Sequence, residues 1–376
     1  MLANKFSKDN VKSFLADKLV AEIFLALTII SIPLSGYSGK FIIDEILTRI
    51  ARNSFLVFSL VLPIMAGMGI NFGMVLGAMA GQIGLIFAMD WNISGLQGLV
   101  FAMLVGIPIS VVLGFVAGTI LNHARGREMV TSYILGFFFN GIYQFVVLYL
   151  FGSIIPLHNK AIALSRGWGV RNTLNLDPVR QALDNVLLVR ISGVKVPLST
   201  YIVVALLALF IVWFKKTKLG QDMRSVGLSQ SVSRSQGIPV EMTRVVAIII
   251  STVLACIGQL IFLQNLGNMQ TYNAHDQTGF FAAAAILVGG ASAKKASIAN
   301  CLAGIVLLHL MYIVVPRAGQ NLFGNANIGE YFRQFIGYGV IALALVIHAW
   351  RAYRNAEKAR ASLRGTEKNQ EEMSAV

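Results

Sequence analysis

Charge is the first thing this sequence lacks. Only 13% of its 376 residues are Asp, Glu, Lys or Arg and 56% are hydrophobic, where a soluble domain carries about 25% charged residues. A soluble surface of this size needs more charge, which excludes a soluble enzyme, a disordered tail and a small disulfide scaffold, and leaves lipid as the solvent. Cysteine is nearly absent: Cys256 and Cys301 both lie in apolar runs, which removes a disulfide framework and any CxxC metal or redox centre. His123, His158, His275, His309 and His348 form neither an HExxH nor an i, i+4 pair, so no metal is expected. The G-x-x-x-x-G-K-[ST] phosphate loop is missing too, which places any ATP chemistry on another polypeptide. Acids are scarce in the apolar stretches. Glu22 is the one read there, a turn from Lys18 as an i, i+4 pair at the interface, so a proton or sodium relay lacks its usual groups.

Long apolar runs are what the chain does have. A spanning helix needs about 20 mostly apolar residues, and eight runs serve: Leu19–Pro33, Phe55–Ile70, Leu96–Leu121, Met129–Phe151, Leu198–Phe214, Val245–Leu266, Ile298–Val315 and Phe335–Trp350. Two runs crowded with Gly and Ala, Phe72–Met89 and Thr278–Ala291, bring the expectation to an all-α membrane protein of about ten transmembrane helices. Lys and Arg outnumber Asp and Glu by 31 to 17, a formal charge of +14. The positive-inside rule assigns that excess to cytoplasmic connections and not to a nucleic acid, with both termini in the cytoplasm. Residues 1–18 then form a cytoplasmic segment, either a helix lying on the inner surface or a frayed tail, and the first helix is retained. Residues 19–350 form the transmembrane domain, with an outer loop at 152–197 and a polar, basic inner loop at 215–244. Residues 351–376 form a basic cytoplasmic tail.

Glycine interrupts two stretches, GMGINFGMVLGAMAGQIG from Gly67 and TGFFAAAAILVGGASAKKAS from Thr278. Broken helices at corresponding places in two halves point to pseudo-symmetric, inverted repeats around a pathway; small residues also simply let helices pack closely. Neutral polar groups stand where charges do not: Asn71, Gln82, Asn140, Gln144, Gln259, Gln264, Asn265 and Asn300. They either bond a polar solute or tie helices together. Phe137, Asn140 and Gln144 share a helix face on which an aromatic ring stacks on a flat solute. The substrate-pathway candidates are therefore Asn71, Gln82, Phe137, Asn140 and Gln144. In the inner loop, Ser229 reads as the N-cap of a short surface helix that carries Val232.

That loop, TKLGQDMRSVGLSQSVSRSQGIPVEMTRVVAI, resembles the cytoplasmic loop of permease subunits in bacterial ABC importers of the ribose, nucleoside and branched-chain amino acid group. Thr217, Gly220, Arg224, Val226, Gly227, Gly237 and Ile238 match the pattern T-x-x-G-x-x-x-R-A-V-G with a later G-I. GREMVTSYILGFFFNGIYQFVVLYLF, TGFFAAAAILVGGASAKKAS and GMGINFGMVLGAMAGQIG are similar to further blocks of the nucleoside and simple-sugar branch. The third departs from the pattern, since Met74, Val75 and Leu76 stand where the family has an acid. The resemblance implies a chain that is not itself an enzyme, in a bacterial cytoplasmic membrane, with ATP and magnesium held by two partner ATPase subunits. It implies a second permease subunit, copy or paralogue, and a periplasmic or lipid-anchored binding protein. Ser229 to Gln236 would be the coupling helix, with Gly220, Arg224, Gly227, Ser231, Val232, Arg234 and Gly237 as its coupling residues. Arg166, Arg171 and Arg180 of the outer loop are the candidates for meeting the binding protein. The solute implied is a nucleoside or simple sugar, with branched-chain amino acids or a flavin as alternatives and an ion-coupled secondary carrier as the reading of another class.

Overall fold

The protein's structure is a computed structural model that describes residues 8–346 except 192, 293, 294, 326, 336, 337, 340, 341 and 343–345, and of 8–20 the backbone alone. The basic tail at 351–376 lies outside the described residues, as does most of the expected span Phe335–Trp350. Helix α1 covers Lys8–Ser35 and α2 covers Gly39–Phe58. The next helix, α3, is short, Val61–Met65. The expected single span Phe55–Ile70 is therefore divided. Pro63 removes an amide donor, and Gly67 and Gly69, at φ +74° and +71°, turn the chain where a helix would continue. Helix α2 starts earlier than the hydropathy does because Ser38 caps it, accepting from the Phe41 amide at 3.3 Å. Lys40, Asp44, Glu45, Arg49 and Arg52 thus lie in a helix and not in an outer connection.

A tight turn at Phe72–Met74 leads into α4, Val75–Asp90, followed by α5, Gly95–His123, and α6, Glu128–Phe145, which widens into a π turn over Val146–Leu150. After the long loop come α7, Leu198–Phe214, α8, Lys218–Leu228, and α9, Gln230–Ser235. Then α10 runs over Val240–Leu266, α11 over Thr278–Val288 and α12 over Ile298–Phe323. Five helical stretches are long and apolar enough to cross a membrane among the described residues: Phe72–Asp90, Gly95–His123, Glu128–Leu150, Val240–Leu266 and Ile298–Phe323. A sixth is obtained if α7 and α8 count as one span bent by 72°. Helix α10 is the centre of the bundle, packed on α2, α4 and α5. The small residues of the first Gly-rich stretch serve that packing, since a Cβ on Gly77 would lie 2.0 Å from the Thr252 carbonyl oxygen.

The bundle has two dissimilar ends. At one, α8 and α9 lie against the turn after α3: a Cβ on Gly227 would come within 2.1 Å of the Met65 carbonyl oxygen. The other end is covered by the loop after α6. This loop is built: strand β1, Thr173–Asn175, pairs antiparallel with β4, Asn268–Gln270, after α10, while β2, Leu188–Ile191, and β3, Val194–Pro197, form a hairpin. Val170, Leu174, Leu176 and Val179 are buried against α4, α5 and α10. Asp90, 1% exposed, fastens the loop by accepting from the backbone amides of His158 and Asn159 at 2.7 and 2.9 Å.

Candidate functional site

Helix α6 presents Asn140, Tyr143 and Gln144 toward α4 and toward the connection between β4 and α11. Gln82 of α4 is fully buried; its amide lies 2.8 Å from Tyr143 Oη and 3.0 Å from His275 Nδ1. His275 Nε2 is 3.0 Å from Asn140 Oδ1 and 3.2 Å from the Asp276 carboxylate. Asn140 also donates to Asp276 at 3.3 Å and accepts from Gln144 at 3.3 Å. One proton arrangement satisfies this cluster. Tyr143 has a single hydroxyl hydrogen and the Thr271 carbonyl oxygen stands 2.7 Å away. Gln82 Nε2 is buried with no partner as placed. Turned over, the Gln82 amide donates to Tyr143 and to His275 Nδ1, Tyr143 donates to Thr271, and His275 donates from Nε2 to Asn140 and Asp276, leaving only a carbonyl oxygen short of a partner. His275 in this arrangement is neutral, in keeping with burial, which pushes its pKa down to about 4.

Two cavities flank this cluster, with Asp276 in the wall of both. The smaller, about 120 Å³, lies between α6 and α11 and is lined by Phe72, Tyr133, Phe137, Asn140 and Phe280. Phe137, 60% exposed, meets Tyr133 edge to face at 4.6 Å between ring centres. The larger, about 330 Å³, lies between α2, the end of α10, α11 and α12. The structure thus brings Gln82, Asn140 and Gln144 into one network, places Phe137 and Asn140 on the smaller cavity, and sets Asn71 apart. Asn71 is 2% exposed, accepts from the Gly73 amide at 3.0 Å and donates to Ser251 at 3.3 Å, a turn-holding role.

At the opposite end Ser229 caps α9, accepting from the Val232 amide at 3.4 Å. Ser233, fully buried, bonds Ser225 at 2.9 Å and holds α9 onto α8. Arg224, Ser231, Val232, Arg234 and Gly237 are left exposed, with Leu228 81% exposed beside them. Gly220 and Gly227 are instead packing positions, with main-chain oxygens of Phe214 and Met65 where a Cβ would go. Among the three loop arginines, Arg166 is tied to the carbonyls of Leu148 and Trp168 at 3.0 and 3.2 Å, Arg171 to that of Ala163 at 2.8 Å, and Arg180 to Asp177 at 3.7 Å. All three are exposed.

Several polar residues within the bundle or on its cavities escape a sequence reading. His275 and Asp276 sit in a short connection, and their chemistry shows only once α4 and α6 are brought beside it. Arg244, 1% exposed, forms an ion pair with Glu128, joining the starts of α10 and α6. A basic and an acidic residue each opening an apolar run was the available signal. Arg52 lies over the Phe262 ring at 5.2 Å and donates to Asn265 at 3.2 Å; its position within α2 hid it.

Residues 42–347 match the family described as the permease component of branched-chain amino acid transport systems. The chain belongs to that family. The permease is 24% identical over 305 residues to the nucleoside ABC transporter permease protein NupB of Lactococcus lactis subsp. cremoris, a match covering 77% of this chain and 78% of the relative. A probable ABC transporter permease protein, y4mJ of Sinorhizobium fredii, is 25% identical, covering 76% and 77%. The L-arabinose transport system permease protein AraH of Escherichia coli is 26% identical over 153 residues, covering 40% and 44%. Among solved structures, an ABC transporter of metal-chelate type in an inward-facing conformation aligns with 86% of this chain and 99% of its own, at 12% identity and a TM-score of 0.43. The permease is thus a multi-pass membrane protein and the transport component of an ABC transporter.

Proposed function

We propose that the permease is the membrane-spanning subunit of an ATP-driven importer that moves a nucleoside or a related ribosyl or simple-sugar solute. The observation that carries this reading is the exposed edge of α8 and α9, held on the bundle by the glycine contact with α3 and presenting Leu228 and Val232 to a partner. Two ATPase subunits dock there, a second permease subunit stands alongside, and a binding protein delivers solute to the end covered by the long loop. In this arrangement the chain crosses ten times, its halves inverted and both termini in the cytoplasm, and α8 and α9 lie inside. The network around Asn140, whose one carboxylate, Asp276, is bonded to Asn140 and His275, and the aromatic wall at Phe137 suit a neutral solute with hydroxyls and a ring.

The family description favours branched-chain amino acids as a second reading. Co-purification in mild detergent followed by ATPase assay decides between them, with nucleosides, pentoses and amino acids each presented on the cognate binding protein. Turnover stimulated by nucleoside or pentose supports the first reading and stimulation by amino acids alone supports the second. Uptake that survives ATP depletion and collapses with an ion gradient would overturn both.

A further inference from the structure

The amides that the sequence marks as pathway residues are spent on partners within the protein, whereas a second set is not. Asn268, Gln270, Asn273 and Gln277 all line the 330 Å³ cavity, and among the described residues their side chains make no hydrogen bond. Asn53, 6% exposed on the α2 wall, commits its Nδ2 to the Arg49 carbonyl at 2.8 Å and keeps its Oδ1 for another donor. His309, 6% exposed on the α12 wall, has a buried Nδ1 with no partner. Phe262 and Phe281 supply apolar surface between these groups. The lining holds no Lys or Arg, and its one carboxylate, Asp276, is already bonded to Asn140.

We infer that this cavity is a solute-binding station inside the single subunit, taking a neutral polyhydroxylated solute such as a nucleoside or a pentose. Its volume is in the range of small-molecule sites, about 300–1,000 Å³. Amides offer both donors and acceptors to hydroxyls and rings cover the apolar face of a sugar or base, while the lining itself offers no Lys or Arg to a phosphate or carboxylate and Arg52, over the Phe262 ring, is committed to Asn265. Exposed Leu266, Asn268 and Asn273 form its mouth, at the bundle end that the long loop covers. The station would hold solute there before it reaches the Phe137 cavity, with the Asp276 wall between the two.

The inference rests on the importer reading, and the test separates them. Cells carrying the complete importer are given labelled uridine and labelled ribose. The double variant N273L/Q277L removes two exposed, unbonded amides, so its membrane level stays that of wild type while uptake falls about tenfold. In a second measurement, N273C is labelled with a maleimide in membranes; Cys256 and Cys301 are fully buried, so the introduced thiol is the one that reacts. Solute slows that labelling about fivefold or more at saturation, and leaves F137C labelling less affected. Protection by uridine alone or by ribose alone identifies the solute. Unchanged uptake in the double variant with unprotected N273C overturns the station and leaves the importer standing. A wild-type importer that takes up neither solute overturns both.

Discussion

At His275, burial and hydrogen bonding act in the same direction. The ring bridges Gln82 and Asn140 while burial pushes its pKa down to about 4, so folding favours the neutral form. Replacing it with Leu strands Gln82 and Asn140 and is expected to cost about 2–3 kcal/mol, seen as a lower Tm of the purified chain. Acid should weaken the fold through the same ring. The unfolded chain protonates His near pH 6.5 and the folded chain only near 4. Stability is therefore full above about 6.5 and is lost as pH falls toward 4, with a slope of at most about 1.4 kcal/mol per pH unit. Burial raises the pKa of neighbouring Asp276, which acts with opposite sign, so the readout is the difference between wild type and H275Q across pH 7.5 to 5. A flat difference would remove His275 from the account. The sequence made Asn140 and Gln144 legible as polar groups in an apolar helix, but their partner was hidden. A lone His between Ala274 and Asp276 carries no spacing signal, and only the return of the chain after α10 brings it to Gln82. By the same geometry N140L, which breaks bonds to His275, Asp276 and Gln144, is expected to lower Tm as well as transport.

Two glycines of the stretch from α8 to the start of α10 fail for different reasons when replaced. At Gly227 a Cβ meets the main-chain oxygen of Met65 at 2.1 Å, and Gly67 on the other side is itself at φ +74°. G227A should therefore push α8 off α3 and cost about 1–3 kcal/mol as overpacking, with α8 becoming more accessible to protease. Gly237 has φ +79° and open space where a Cβ would sit, with no atom within 4 Å, so G237A should cost about 1 kcal/mol from backbone strain alone. Val232 is 52% exposed, and V232E should leave Tm unchanged while uncoupling ATP hydrolysis from uptake in the complete transporter. Unchanged uptake would take Val232 out of the docking edge. Hydropathy located α5, α10 and α12 because these are long apolar helices, and Ser229 announced α9 because a serine side chain is the natural acceptor for orphan amides. It missed α2, whose Lys, Arg, Asp and Glu are tolerated where Arg49 pairs with Glu45 and Arg52 lies over Phe262. It also joined α2 to α3 and ran on past α3, since hydropathy registers neither the amide that Pro63 lacks nor the turn that Gly67 and Gly69 impose.

On the scale of the molecule, a partner docked on α8 and α9, as proposed, has to act on α6 through the contacts between them. Glu241, in the first turn of α10, is ion-paired with Arg234 of α9 and, at 2.8 Å, with Arg125 in the turn between α5 and α6. Its backbone carbonyl also accepts from Asn122 of α5 at 2.9 Å. Three residues further along α10, Arg244 pairs with Glu128 at the start of α6, and α6 carries Phe137, Asn140 and Tyr143 to the cavities. One rank of charges therefore links the exposed edge of α8 and α9 to the helix that lines the Phe137 cavity. The two pairs at Glu241 involve side chains about half exposed, where an ion pair adds only about 0–1 kcal/mol. The Arg244 pair is buried, and removing one partner there costs about 3–5 kcal/mol. Substitutions along the rank should accordingly separate coupling from folding. E128Q should lower expression and Tm, whereas E241Q should leave both unchanged, keep ATP hydrolysis, and reduce solute moved per ATP several-fold. Raising salt should reproduce part of the E241Q effect in wild type, because exposed pairs are screened over about 8 Å at physiological ionic strength, and should add nothing in E241Q. If E241Q transports as wild type does at low and high salt, α9 moves α6 through packing alone, and the small-residue contacts at Gly67 and Gly227 become the route.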